Sequence, residues 1–211
     1  VIAALFVQTN GAYFGLPDVD PWDEARDARR YAGPHPVVAH PPCERWGRYW
    51  SGGPSAKVRR KLGDDNNCFK SALHAVARWG GVLEHPEASK AFAAHGLRHP
   101  ARAGGWDSRW EWYGKRYWVC CVEQCHYGHP ARKATWLVYF ENSGEPPPEL
   151  IWGPSKGQRL DEGFHSKAER DAARAAGVPP RKRLSKTQNL ATPPAFRDLL
   201  LSLARSAGDV S

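Results

Sequence analysis

The residues best equipped for chemistry follow short apolar runs. In Val37-Val38-Ala39-His40-Pro41-Pro42-Cys43, an extended apolar stretch is stopped by two prolines, and a thiol comes next. Proline fixes its own φ and holds its predecessor in extended geometry, so this strand cannot pass directly into a helix. The turn therefore presents Cys43 at the carboxyl end of a strand, where α/β sheets bind ligands. A thiol there is a nucleophile once its thiolate is favoured, and otherwise a small packed side chain. His40-Pro41, His85-Pro86, His99-Pro100 and His129-Pro130 recur along the chain, and Glu84 directly precedes His85. In a parallel sheet His40, His85, His129 and Glu84 would gather near Cys43 in one cleft. The plainer alternative is that His-Pro merely terminates strands. Cys120, Cys121, Cys125, His126 and His129 also cluster, but without the paired Cys-x-x-Cys spacing of a structural zinc site, so no metal is expected.

Positioning those groups requires alternating strands and helices. Ile2–Val7 reads as a buried strand ending in the turn Gln8-Thr9-Asn10-Gly11. From Asp20-Pro21 to Tyr31, a cap, an early proline, early acids and late arginines predict a helix. Pro36–His40 reads as a second strand and Ser51–Gly63 as a loop. Asn67–Trp79 reads as a helix carrying Phe69, Leu73, Val76 and Ala77 on one face. Val82–Pro86 is a third strand, Ala88–His95 a short helix, and Val119–Gln124 and Lys133–Phe140 two more strands. The Trp- and Tyr-rich span 100–118 is either stacking surface or core. Residues 141–163 read as irregular, Ser166–Ala176 as a charged helix, and Pro194–Ala204 as a closing amphipathic helix. This alternation predicts an α/β fold with a mostly parallel sheet flanked by helices.

Composition sets outer bounds. The chain has 211 residues, 41% of them hydrophobic, with 30 Lys and Arg against 22 Asp and Glu. A formal charge of +8 attracts polyanions, and nucleic acid is the commonest of these. No apolar run approaches the ~18 residues of a membrane span, no signal peptide is evident, and no membrane partner is expected. Five cysteines without a regular framework point to reduced thiols and a cytoplasmic setting. The basic patch Arg181-Lys182-Arg183 is either a phosphate contact or a solvated loop. Phosphate-binding Gly-Lys-Ser/Thr loops and Gly-x-Ser-x-Gly elbows are absent from the sequence, which disfavours a nucleotide triphosphatase or an ordinary esterase.

Several of these segments, in order, resemble the C5-cytosine DNA methyltransferases. Ala4-Leu5-Phe6-Val7-Gln8-Thr9-Asn10-Gly11 is similar to their opening Asp-Leu-Phe-x-Gly-x-Gly-Gly turn, and His40-Pro41-Pro42-Cys43 to their Gly-Pro-Pro-Cys loop. Leu83-Glu84-His85-Pro86 resembles their Glu-Asn-Val segment, and the stretch from Tyr127 to Trp136 their Tyr-Gly-Val-Pro-Gln-x-Arg-x-Arg element. Gln188–Pro194 resembles a late Gly-Asn-Ala-Val-Pro-Pro element. The resemblance implies a Rossmann-like, truncated methyltransferase-type domain over 1–165, with a basic helical tail, 166–211, packing on it. It also implies that Cys43 attacks C6 of a cytosine-type base in DNA or a nucleotide, and that Glu84 contacts N3. His40, His85 and Arg132 would support them, and Glu84 would need a pKa raised by burial. Phe6, Gln8, Asn10 and Gly11 would hold S-adenosylmethionine, although Ala4, Gln8 and Asn10 replace the family's acid and two of its glycines. No room remains for a large target-recognition domain, so a protein partner would supply sequence specificity. The alternative is a nucleic-acid-binding accessory protein that has lost the cofactor.

Overall fold

The computed structural model describes residues 1–52, 57–58, 60–102, 104–142, 146–160, 167–178 and 184–208. Three runs of small and β-branched residues form its centre: β1 (Ile2–Leu5), β3 (Val37–Ala39) and β4 (Gly81–Pro86). β1 and β3 are buried at every position, as expected of parallel strands covered on both faces. β1 and β4 lie parallel to β3 on either side of it, and β2 (Val19–Trp22) lies parallel to β1 at the edge. Gly81 permits the close approach of β4 to β3. Its φ is +125°, and a Cβ there would stand 1.9 Å from the Val37 carbonyl oxygen.

Beyond β4 the sheet changes character. β5 (Asp107–Trp112), β6 (Lys115–Glu123) and β7 (Ala134–Phe140) complete a seven-stranded sheet in the order β2-β1-β3-β4-β7-β6-β5 among the described residues. The pairs β4–β7, β7–β6 and β6–β5 are all antiparallel. The sheet is thus mixed, and the expectation of a mostly parallel one is corrected. The cause is the short connections: Tyr113-Gly114 and Gln124–Lys133 can close hairpins but cannot carry the long crossover that a parallel pair needs.

The helix predicted over Asp20–Tyr31 is also absent. Val19–Trp22 instead gains ladder partners as an edge strand, where the missing N–H of Pro21 is tolerated. The acids that suited a helix start bind local donors: Asp23 accepts from the Arg26 amide, and Asp27 caps a 3-10 turn at Ala28–Arg30. Such side-chain bonds compete with helical ones.

Helices cover both faces. On one, α1 (Cys68–Trp79) buries Phe69, Leu73, Val76 and Ala77 as its pattern predicts, next to α2 (Lys90–Ala94). On the other, α5 (Pro194–Gly208) buries Phe196, Leu200 and Leu203 against Ala4, Val38 and Val82. α3 (Lys167–Ala175) and α4 (Lys186–Leu190) bury no side chain. In the aromatic span, Tyr117 is buried, while Trp106, Trp110, Trp112 and Trp118 pack on the two cores and Tyr113 stays exposed. That span is core for the most part. The Arg181–Arg183 patch and the junction at 165/166 lie outside the described residues. Among those described, no helix is long and apolar enough to cross a membrane.

The topology places a crevice. From β1 the chain moves outward to β2, then returns past β1 to β3 on its other side. The loops after β1 and β3 therefore leave the carboxyl rim in opposite directions, the arrangement that opens ligand sites in α/β sheets. Because β4 and β6 both run antiparallel to β7, their carboxyl ends and the start of β7 reach the same rim.

Candidate active site at the carboxyl rim

A cleft of about 520 Å³ opens at this rim, within the usual range for small-molecule sites. Phe6 and Gln8 line it from the turn after β1, and His40 and Cys43 from the turn after β3. Glu84 comes from β4, Gln124 from the end of β6, and Lys133 and Thr135 from the start of β7. Asn189, Leu190 and Ala191 close it from the segment after α4. Pro41-Pro42 turns the chain as expected, and the Cys43 carbonyl anchors the next turn by accepting from the Trp46 and Gly47 amides.

One hydrogen-bond chain crosses the cleft. Glu84 Oε2 lies 3.1 Å from His40 Nδ1, and His40 Nε2 lies 2.8 Å from the Tyr13 hydroxyl. An ionised carboxylate can only accept, so His40 donates through Nδ1–H; in the neutral ring, Nε2 then accepts from Tyr13. On the far side, Gln124 Nε2 donates to Thr135 Oγ1 at 2.9 Å and approaches Glu84 Oε1 at 3.4 Å. Thr135 in turn donates to the Lys133 carbonyl. Lys133 carries a strained φ of +34°, and its ammonium donates to the Ala191 carbonyl at 3.1 Å.

Charge follows from these partners. Burial pushes the Glu84 carboxyl up. The hydrogen bond from His40, the charge of that ring, and the nearby Lys133 and His85 together outweigh burial and hold it below the ordinary value. The expectation of a raised Glu84 pKa is therefore reversed: the group is an ionised carboxylate. Cys43 is pushed up, first by burial and then by the charges of Glu84 and Glu44, while Lys133 opposes them. Lys133 is itself lowered by burial, against the pull of Glu84 and Cys43. Tyr13 is raised by burial and by Glu84, so its hydroxyl keeps its proton.

Other expected members are elsewhere. His85 alternates with Glu84 on β4 and points into the α1 core, fully buried with its ring edge-on to Phe69 at 5.1 Å. Arg132 is exposed and donates to the Gly157 carbonyl, and the cationic group in the cleft is its neighbour Lys133. Asn10 and Gly11 do not line the cleft. They form the turn beside it, where the Gly11 amide donates to the Gln8 carbonyl and a Cβ on Gly11 would stand 2.8 Å from that oxygen. His129 is buried, with Nδ1 accepting from the Ala131 amide and Nε2–H donating to the Gln188 carbonyl, so it tethers α4. Cys120 and Cys121 point into opposite cores. Tyr13, Gln124, Lys133, Thr135 and Asn189 were not singled out by sequence. Only Lys133 had a signal, as the second cation of Arg132-Lys133 at a strand start.

The space beside Gln8 is large enough for a nucleoside-bearing donor, but the polar groups fit S-adenosylmethionine poorly. The two acids at the end of β2 are already committed: Asp20 accepts from Trp22 and Arg26, and Asp23 from Thr9 and the Arg26 amide. No free carboxylate in the turn faces a ribose diol or a cationic sulfonium. No protein-family model matches the chain, and no curated protein or solved structure is significantly similar to it.

Proposed function

We propose that the protein modifies a pyrimidine base in DNA or a nucleotide, as its resemblance to the C5-cytosine DNA methyltransferases implies, by adding Cys43 to C6 of a cytosine-type ring. The observation that carries this reading is the convergence of Cys43, Glu84, His40 and Lys133 on one cleft at the switch point of the sheet. Glu84, being ionised, first accepts the thiol proton. The sulfur lone pair forms the S–C6 bond, the C5=C6 electron pair moves toward C4–N3, and N3 takes the proton from Glu84. A neutral thiol and a neutral base thus become a neutral adduct that is electron-rich at C5. Lys133 shares the negative charge while the thiolate exists. In duplex DNA the base must leave the stack to reach this cleft. The net charge of +8 supports a polyanionic partner, as does a groove of about 440 Å³ along α1 lined by Arg29, Lys70 and Arg78.

A second reading is a nucleic-acid-binding accessory protein. The raised thiol pKa and the absence of a free acid beside the Gln8–Gly11 turn favour it.

An oligonucleotide bearing 5-azacytosine separates the two, because this base is electrophilic at C6 without any donor. A denaturation-resistant adduct in the wild type, lost in Cys43→Ser, is the expected result; no adduct overturns the catalytic reading. Titration calorimetry with S-adenosylmethionine then tests the methyl donor that the resemblance implies. No heat of binding, alongside salt-sensitive DNA binding and no adduct, establishes the accessory role.

A further inference from the structure

Gln124 is only 2% exposed, yet its side-chain oxygen has no hydrogen-bond partner among the described residues. Its orientation is set by its neighbours. The Thr135 hydroxyl hydrogen is used on the Lys133 carbonyl at 3.1 Å, so Thr135 Oγ1 offers Gln124 only lone pairs. Glu84 Oε1, on the same side-chain nitrogen at 3.4 Å, is also an acceptor. Turning the carboxamide over would set oxygen against oxygen at both places. Nε2 therefore stays on Thr135 and Glu84, and Oε1 is left as a buried acceptor in the wall of the cleft. Leaving such a group unmatched costs stability, which a ligand donor would recover. Asn189, on the segment that closes the cleft, has a second buried oxygen without a partner.

We infer that Gln124 makes the cleft selective for a pyrimidine with an amine at C4, the cytosine class, over one with a carbonyl there, as in uracil or thymine. The inference rests on the reading of this cleft as a base site and names which base it takes. Glu84 alone does not discriminate, since its carboxylate accepts equally from a cytosine amine or from the N3–H of uracil. Gln124 does: the amine donates to Oε1, whereas a carbonyl at C4 would face it lone pair to lone pair. Asn189 adds a second acceptor from the opposite wall. Sites built to hydrogen-bond a ligand group reject analogues lacking it because a buried partner is left unpaired.

The experiment is calorimetry of the full chain with dCMP and with dUMP. The wild type is expected to bind dCMP roughly 5- to 100-fold more tightly, the ratio that one unmatched buried acceptor sets. Gln124→Met, close in volume, should bring the two affinities together. Asn189→Ala, on an exposed segment, should narrow the ratio less while leaving the melting temperature unchanged. Equal binding of both nucleotides by the wild type overturns the inference and leaves the base-site reading standing. Binding of neither overturns both. A cytosine preference that persists in folded Gln124→Met, or in Asn189→Ala if the first variant does not fold, overturns the assignment to this acceptor wall.

Discussion

Glu84 and His85 are neighbours on β4, and the alternation of a strand sends them into different worlds. Glu84 faces the cleft, ionised, between His40 and Gln124. His85 faces α1, and neither ring nitrogen has a hydrogen-bond partner among the described residues. Burial holds its pKa at about 4, so it stays neutral. Both side chains are titratable and both leave water on folding. What separates them is that one opens on a cavity and lies within a polar chain, while the other abuts Phe69 in apolar packing. The site therefore belongs to one face of the sheet, and histidine beside the carboxylate is no measure of involvement. Variants at the two positions should part accordingly. Glu84→Gln keeps the shape but removes the proton acceptor, and the rate of adduct formation with 5-azacytosine DNA should fall by about 10²–10⁴-fold. His85→Leu should leave that rate within a few-fold of the wild type. An equal loss in both would break the comparison.

The same pair differs in how it links stability to pH. His85 has a folded pKa of about 4, below its ordinary 6.5. The unfolded chain therefore takes up a proton as pH falls through 6.5, while the folded chain does so only near 4. Stability is unaffected above 6.5 and declines across that window by about 3 kcal/mol for this group. Glu84, also lowered, contributes stability above the ordinary carboxylate value of 4.5 that is lost only as pH falls below it. Urea midpoints measured from pH 7 to 3 should separate the two. In His85→Leu the slope between 6.5 and 4 should flatten, and the steeper fall below it should remain. His74 and His129, lowered chiefly by burial, act in the upper window too, so some slope persists. An unchanged slope would mean that His85 is not the buried neutral ring described.

Much of this was legible in the sequence where one local rule dominated. The proline pair after Val37–Ala39 fixed the Cys43 turn, and the period of α1 marked its buried face. Cys43, His40 and Glu84 could be brought together because each follows or ends a parallel strand. The reasoning failed where tertiary pairing overrode local preference. Asp20–Tyr31 had helix-like ends, but its residues found an edge position beside β1. Gln124 was invisible for a different reason: an antiparallel β7 was needed to bring β6 parallel to β4 and deliver its end to the rim. Arg132 and Lys133 show the finest limit, since a single step along the chain decides which cation enters the cleft.

The smallest expected effect lies on the thiol itself. Burial is the main reason that Cys43 titrates high, and Glu84 adds to it, whereas Lys133 pulls the other way. The thiolate fraction at a given pH sets the rate of alkylation. Glu84→Gln removes a negative charge without opening the cleft, so the iodoacetamide profile of Cys43 should move to lower pH, with a few-fold faster reaction near pH 8. Lys133→Gln should move it the opposite way, to higher pH. His85→Leu should leave the profile in place, because a neutral ring on the other face of the sheet contributes no charge. Mass spectrometry of the modified peptide assigns the rate to Cys43 rather than to Cys68 or Cys125, which are also partly exposed. If Glu84→Gln slows alkylation, the carboxylate activates the resting thiol, and its place is as a standing base. If it speeds alkylation, Glu84 holds the thiol protonated until a base arrives, and proton transfer belongs to the step in which the S–C6 bond forms.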